Sequence, residues 1–522
     1  MATHNLAVIL ENPFNDSLFL LLKQTPPPKF GEDEYDSYVD SHLWDLPSTL
    51  LNPQENASHP GILIQGEESF SDKIDMTKFD VELGLNRVLE QVGFKVSDVG
   101  EWSLFKYVEE AEFGPGFPVN TVFVMGQLLD GNQSCQGLCK WMSTESCLSL
   151  LLEVKPCNDR LGPLVVVGLI NDSLRSVARK LPPALRYQEY PPGVILVPMQ
   201  SRTAKPFHTT NLVIFAPENV SDTSGDYSFV AYGDALIVDP GCRHEYHEEL
   251  KKIVTCLPKK LIVLVTHHHC DHVEGLSIIQ KCNPDATLLA HENTMRRIGK
   301  SDWSLGYTSV SGDEDIWVGG QRLTVIFSPG HTDGHVALLD VSTNSLIVGD
   351  HCVGQGSAAL DITSGGNMTE YFQTTYKFME LSPHALISMH GRINLWPKNL
   401  LCGYLKNRRS REAHILKAIE NGAETLFDIV ANVYSGVDRS FWIAAASNVR
   451  LHVDHLAQQK KLPKEFSVQK FHKTWVPFFL RWICAYLSSR FMFKCLKLKI
   501  SRFLIAGTVA GIAVYLIRQK HA

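Results

Sequence analysis

Apolar and polar positions change their rhythm several times along this chain, and each change predicts an element. Leu6 to Leu10 and Leu18 to Lys23 are apolar runs on either side of Asn12-Pro13-Phe14-Asn15-Asp16, the pattern of a hairpin with a turn-rich loop. From Asp80 to Val92 the period lengthens to that of a helix, with Val81, Leu85, Val88, Leu89 and Val92 on one face and Gly93 placed to end it. Strand, helix and strand again predict an α/β module over residues 1–180. Two Pro-Pro pairs, in Leu181-Pro182-Pro183 and Tyr190-Pro191-Pro192-Gly193, predict an extended connector over 181–193. Beyond Val194 come short apolar runs separated by loops: Asn211 to Phe215, Phe229 to Tyr232, Ala235 to Val238 and Leu261 to Val265. The last is apolar throughout, as a strand covered on both faces should be.

Size and composition narrow the picture without naming a function. A chain of 522 residues exceeds one ordinary domain, and 44% hydrophobic with 20% charged residues is the balance of a folded globular protein. A net charge of -7 argues against a surface that is basic throughout, so sequence-specific DNA binding is not expected. The C-terminal end departs from this: nine Lys or Arg lie between Lys464 and Arg502 against one acid, Glu465. No secretory signal opens the chain, so the twelve cysteines are expected as reduced thiols in a cytosol-like compartment. Cys135-x3-Cys139 with Cys147 and Cys157 fits none of the usual zinc-ribbon spacings.

The chemistry gathers just past Leu261–Val265, in His267-His268-His269-Cys270-Asp271-His272. His267 and His269 are alternate residues, so in an extended loop their imidazoles point the same way and can share one metal ion. Asp271 and His272 follow at once, close enough to serve a second ion. His268 and Cys270 are the interleaved positions and point away in the simplest geometry.

The run Thr-His-x-His-x-Asp-His after a buried strand resembles the signature of the metallo-β-lactamase superfamily. Further segments stand downstream in the order that the resemblance requires: Ser328-Pro329-Gly330-His331-Thr332 after Leu323 to Phe327, Leu346-Ile347-Val348-Gly349-Asp350, and Leu386-Ile387-Ser388-Met389-His390-Gly391. It implies an αββα sandwich over 194–400. It also implies that His267, His269 and His331 bind one metal, that Asp271, His272 and His390 bind another, and that Asp350 bridges both. Val238-Asp239-Pro240-Gly241 looks like the family's turn leading into the site, while His335 and His351 are neighbours of ligands rather than ligands. Two zinc ions per chain are expected, although manganese and iron also occupy such sites. A metal-bound hydroxide would then attack the substrate, with Asp271 and Asp350 as the catalytic carboxylates that orient it. Glu274, where the family often has glycine, and Ser388-Met389, in place of a common Pro-Gly, alter the expected substrate mouth.

Trp44-Asp45-Leu46-Pro47 and Asn86-Arg87-Val88-Leu89-Glu90-Gln91-Val92-Gly93-Phe94 resemble a decayed Nudix box in which only Glu90 of the magnesium-binding acids remains, which implies a Nudix-like but inactive N-terminal domain. Lys406 to Leu416, including Arg408, Arg409 and Arg411, opens a helical stretch. It resembles the small winged-helix-like module, here 401–462, of the plant-type endoribonuclease-like members of the superfamily. Single-stranded RNA or another phosphodiester is therefore the leading expected substrate. A glyoxalase-II-like thioesterase acting on glutathione or acyl thioesters is the alternative, and a non-catalytic membrane adaptor is a third reading. Residues 463–522 read as a basic stem and an apolar C-terminal helix that enters a membrane through residues 500–518, since Phe503 to Ile517 is uncharged between Arg502 and Arg518. That pattern suits a tail-anchored, cytosol-facing protein of a mitochondrial, plastid or peroxisomal membrane, and otherwise a cytoplasmic one. Gly507-x3-Gly511 would let two such helices approach in a homodimer.

Overall fold

The computed structural model describes residues 2–28, 35, 37–54, 64–65, 74–130, 138–152, 159–171, 181–217, 228–354 and 358–495. The chain forms two compact units, residues 1–408 and 409–522. The expected membrane segment 500–518, with its glycine pair, lies outside the described residues. Among the described residues no helix is long and apolar enough to cross a membrane.

In the first unit, the strands Thr3–Asn12 and Asn15–Gln24 pair antiparallel, and Thr3–Asn12 also runs parallel to Val119–Leu128 at the centre of a nine-stranded mixed sheet. Alternation along Thr3–Asn12 decides which side each residue serves. Leu6, Val8 and Leu10 face the helix Val81–Val92 and pack with Leu85, Val88 and Leu89, while Ala7 and Ile9 face a second cluster with Trp44, Phe123, Val165, Val166 and Ala385. The helix is capped as its ends predict: the Asp80 carboxylate accepts from the Leu83 N–H, and Gly93 takes φ +80°. Glu90 is exposed and belongs to no metal-holding group among the described residues.

Two more sheets stack face to face. One has seven strands in the order Gln188–Glu189, Val194–Gln200, Thr209–Phe215, Ala235–Val238, Leu261–Val265, Thr287–Ala290, Tyr307–Ser309. The other has six: Ala231–Gly233, Asp315–Val318, Gln321–Phe327, Val336–Asp340, Ser345–Ile347, Ala385–Ile387. Leu236, Leu264, Val325 and Leu338 fill the space between them, and Leu250, Ile253, Leu276 and Ile279 from the helices His247–Cys256 and Leu276–Cys282 cover the outer face of the first. Leu261–Val265 is buried along its whole length and pairs parallel on both sides, which is why it carries no polar residue.

Several sequence readings meet a different arrangement. Leu181 and Leu185, expected in a free connector, are buried in the outer core of the first sheet. The N-terminal sheet is fastened to the following sheets by Arg160: its guanidinium donates to the carbonyls of His384 and Leu395 at 2.6 Å and of Ser41 at 2.7 Å, and lies over Trp396. Cys139 is disulfide-bonded, against the expectation of reduced thiols throughout, while Cys147, Cys242, Cys256, Cys270, Cys282, Cys352, Cys402 and Cys484 are free.

The second unit is helical among its described residues. Leu426–Val433, Trp442–Gln458, Val468–His472 and Trp475–Cys495 share a core of Ile429, Val430, Trp442, Val449, Phe471 and Phe478. The aromatic stretch after Pro463 is therefore core here, not stem: Phe471 is 1% and Phe478 0% exposed. The basic cluster also divides. Arg408 is buried, donates to the Ala358 carbonyl and stacks on Tyr371, whereas Arg411 lies over Tyr434 and donates to the Val433 carbonyl.

Candidate metal centre

Four strand ends deliver the site. Leu261–Val265 leads into His267 to His272, Gln321–Phe327 into His331, Ser345–Ile347 into Asp350, and Ala385–Ile387 into His390. The ligand atoms of His267, His269, His331 and Asp350 lie within 4.8 Å of one another, and so do those of Asp271, His272 and His390. All seven residues expected from the sequence are thus brought to two adjoining clusters.

Asp350 addresses both clusters with different oxygens. Its Oδ2 is 3.9 Å from His267 Nε2 and 4.0 Å from His331 Nε2; its Oδ1 is 3.4 Å from His272 Nε2 and 3.2 Å from His390 Nε2. Asp271 Oδ2 lies 3.5 Å from His390 Nε2 and 3.8 Å from His272 Nε2.

The outer nitrogens of the five imidazoles are each tied to the protein, and the partners fix the tautomers. His331 Nδ1 meets the Ala359 carbonyl at 2.7 Å and His390 Nδ1 the Thr209 carbonyl at 2.9 Å; a carbonyl only accepts, so both nitrogens carry the proton. His272 Nδ1 donates to Asp239 Oδ2 at 2.8 Å and His269 Nε2 to Asp361 Oδ2 at 3.2 Å. Thr266 Oγ1 spends its own proton on Asp239 Oδ2 at 2.6 Å and so accepts from His267 Nδ1 at 3.0 Å. In the neutral, metal-binding form of each ring, what remains is a lone pair on Nε2 of His267, His272, His331 and His390 and on Nδ1 of His269. His267 Nε2 and His331 Nε2 converge on His269 Nδ1 at 2.9 and 3.2 Å. His272 Nε2 and Asp350 Oδ1 are buried without a hydrogen-bond partner. Converging nitrogen lone pairs beside an orphaned buried carboxylate oxygen are a donor set that fits divalent cations.

Electrostatics divide the site in the same way. Burial pushes His267 well below the ordinary imidazole range and His331 down to about 4, so both are neutral. Burial works against the charged form of His272 and His390 too, but Asp350 leads the carboxylates that outweigh it and raise both. The Asp350 carboxyl is itself held well below its usual range, because His390 and His272 outweigh the cost of its burial.

The walls are equally specific. Asn211 clamps the His390 turn, donating from Nδ2 to the carbonyls of Ser388 and Gly391 at 2.8 Å, which is how Ser388-Met389 serves in place of a more rigid dipeptide. Glu274 bonds Arg202 at 3.1 Å rather than turning into the site. His335 is a buried acceptor for the Asp350 N–H at 3.1 Å, and His351 stacks on Tyr371 and meets Thr375 Oγ1 at 2.8 Å. His268 meets Ser364 Oγ at 3.1 Å, and Cys270 is exposed. Asp239, Thr266, Thr209, Asn211 and Asp361 are orienting partners whose roles the sequence reading passed over; Asp239, Thr266 and Asn211 stand in segments it singled out, but for other reasons.

Residues 224–390 match the metallo-beta-lactamase superfamily, and residues 425–470 match the beta-lactamase associated winged helix domain. The chain thus carries a domain of that superfamily, whose members are typically binuclear metallo-hydrolases. Among its relatives, a beta-lactamase-like protein 2 homolog of Drosophila melanogaster is 27% identical over 213 residues, 38% of this chain and 69% of that protein. A second protein of the same description, from Caenorhabditis elegans, is 25% identical over 241 residues, 45% of this chain and 77% of the other. A hydroxyacylglutathione hydrolase of Erwinia tasmaniensis is 34% identical over 142 residues, 27% of this chain and 51% of that enzyme.

Proposed function

We propose that the two clusters hold two zinc ions, with His267, His269 and His331 on the first, Asp271, His272 and His390 on the second, and Asp350 on both. The observation that carries this reading is the set of five imidazoles, each with its outer nitrogen engaged and its inner lone pair turned to the centre. When bound, two such cations lower the pKa of a water toward neutrality and neutralise charge that develops on the scissile group. The chain itself excludes bulk water beneath the centre, where His267 and His272 are fully buried, and leaves its opening at His269, whose side chain is 28% exposed. Asp271 and Asp350 act as the catalytic carboxylates by accepting hydrogen bonds from the attacking water and fixing its direction.

For the substrate we place a thioester of an acidic carrier first. The phosphodiester reading leaned on Arg408, Arg409 and Arg411, and Arg408 is buried with its guanidinium already engaged. A hydroxyacylglutathione hydrolase stands among the relatives. Single-stranded RNA is the second reading, favoured by the winged-helix match. The zinc-loaded full chain, assayed on a glutathione thioester and on single-stranded RNA with Asp271→Ala as control, separates the two. Thioester cleavage lost in the variant supports the proposal; RNA cleavage lost in the variant reverses the order; silence on both substrates favours the non-catalytic adaptor. We further propose that residues 500–518 anchor the chain to an organelle membrane. Sedimentation of the full chain with membranes, abolished when the chain ends at Cys495, is the expected result.

A further inference from the structure

Resting on the ligand assignment just proposed, we infer that Asp361 is a positioning residue for the first cation site, holding the His269 ring with Nδ1 toward the centre. Four of the five imidazoles have side chains between 0 and 6% exposed and are held by packing as well as by hydrogen bonds. His269 is 28% exposed, so packing restrains it least and the contact from its Nε2 to Asp361 Oδ2 at 3.2 Å does more of the work.

Asp361 is itself immobilised. Its Oδ1 accepts from the Thr363 N–H at 2.9 Å and from Thr363 Oγ1 at 2.6 Å, closing an Asx-turn, Ser364 also hydrogen-bonds the carboxylate, and Oδ2 is the oxygen that meets His269. Its own N–H donates to the His331 carbonyl at 2.9 Å, and Ser364 of the same turn reaches His268 with its Oγ and accepts from the Asp333 N–H at 3.0 Å. The turn ends in Gly365 at φ +75°, where a Cβ would stand 2.7 Å from that of Asp333. One turn therefore grips the loop of His268 and His269 and the loop of His331 together. A ring flip at His269 would put Cδ2 where Nδ1 stands and Cε1 where Nε2 stands, and an acceptor fixed at Nε2 opposes it.

The test separates the turn from the imidazole contact. Asparagine closes an Asx-turn as well as aspartate does. With its one oxygen spent on Thr363, however, it presents an NH2 to His269 Nε2 and favours the opposite tautomer. Zinc affinity is measured by chelator competition on the full chain, with the visible spectrum of the cobalt-substituted protein as a second readout and circular dichroism as the folding control. Wild type should hold two ions and His269→Ala should lose one. Asp361→Ala and Asp361→Asn should both weaken that ion by about 10- to 100-fold and alter the cobalt spectrum, while Thr363→Val, which keeps Oδ2 in place, should not. If His269→Ala keeps both ions at wild-type affinity, the ligand assignment fails. If it loses one while Asp361→Asn binds like wild type, the ligands stand and the role of Asp361 is overturned. Weakening in Asp361→Ala alone also overturns it, since the turn would then be what matters.

Discussion

At the scale of single residues, the centre depends on groups that bind nothing. Asp239 is one, ordering Thr266 and His272 from beneath. Gly241, two positions on, is another: a Cβ there would stand 1.6 Å from the Asp271 carbonyl oxygen and 2.7 Å from the His272 Cα. Backbone cannot yield as a flexible side chain can, so Gly241→Ala must push the segment that carries both residues away from His390. The expected outcome is a protein that keeps its secondary structure but loses the second ion, with activity down by at least about tenfold. Zinc stoichiometry by atomic absorption, set beside circular dichroism, checks it; a variant with two ions and wild-type turnover would show that the segment is softer than its contacts imply.

At the scale of elements, Lys398 to Glu420 belongs to one helix, Pro397–Glu420, whose later part places Glu412 in the second unit. Glu412 is 5% exposed, and its Oε1 accepts from His452 Nδ1 at 3.3 Å and His455 Nδ1 at 2.6 Å, both on Trp442–Gln458. Burial opposes its charge, but the two histidine contacts outweigh it and push the carboxyl from 4.5 down to about 2. A depressed carboxyl stabilises the folded state above its unfolded value and stops doing so as pH falls through the folded one. The contribution, on the order of 3 kcal/mol, is thus complete above about pH 5 and fades between about 4.5 and 2. Glu412→Gln should lower the urea midpoint of the second unit at pH 7, by a margin that narrows as pH falls below 4.5. A margin unchanged down to pH 3 would show that the carboxylate is not what joins the two helices.

Elements also explain what could be seen in the sequence. The strand ends were legible because an all-apolar run such as Leu261–Val265 has few alternatives to a buried strand, and four ligand residues crowd into the seven positions after it. Their orienting partners were not, because the fold alone brings them near: Asp239 is 33 residues from His272, Asp361 is 92 from His269, and Thr209 is 181 from His390. Arg408 was misread for the opposite reason. A cluster of arginines looks solvated when counted along the chain, and only packing against Tyr371 shows that this one is inside.

For the whole molecule, the question is where the folded chain stops. Charge along the sequence makes everything beyond 462 a basic stem and an apolar membrane helix, outside the folded chain. The second unit contradicts that for its own part: Phe471 and Phe478 pack with Trp442 and Ile429, Trp482 donates to the Arg439 carbonyl, and the Leu426 N–H donates to Thr474 Oγ1. Deleting either phenylalanine from a core costs about 3 to 5 kcal/mol, and losing both together approaches the whole stability of an ordinary domain. A chain ended after Leu462 should therefore leave the second unit without a cooperative thermal transition and with dye-binding apolar surface, whereas a chain ended after Cys495 should melt as the full chain does. The single substitution Phe478→Ala gives the intermediate case, a lower melting temperature with the transition intact. If the shorter chain melted cooperatively at the full chain's temperature, the helices Val468–His472 and Trp475–Cys495 would be ornaments on the second unit, and the boundary drawn at Pro463 would stand.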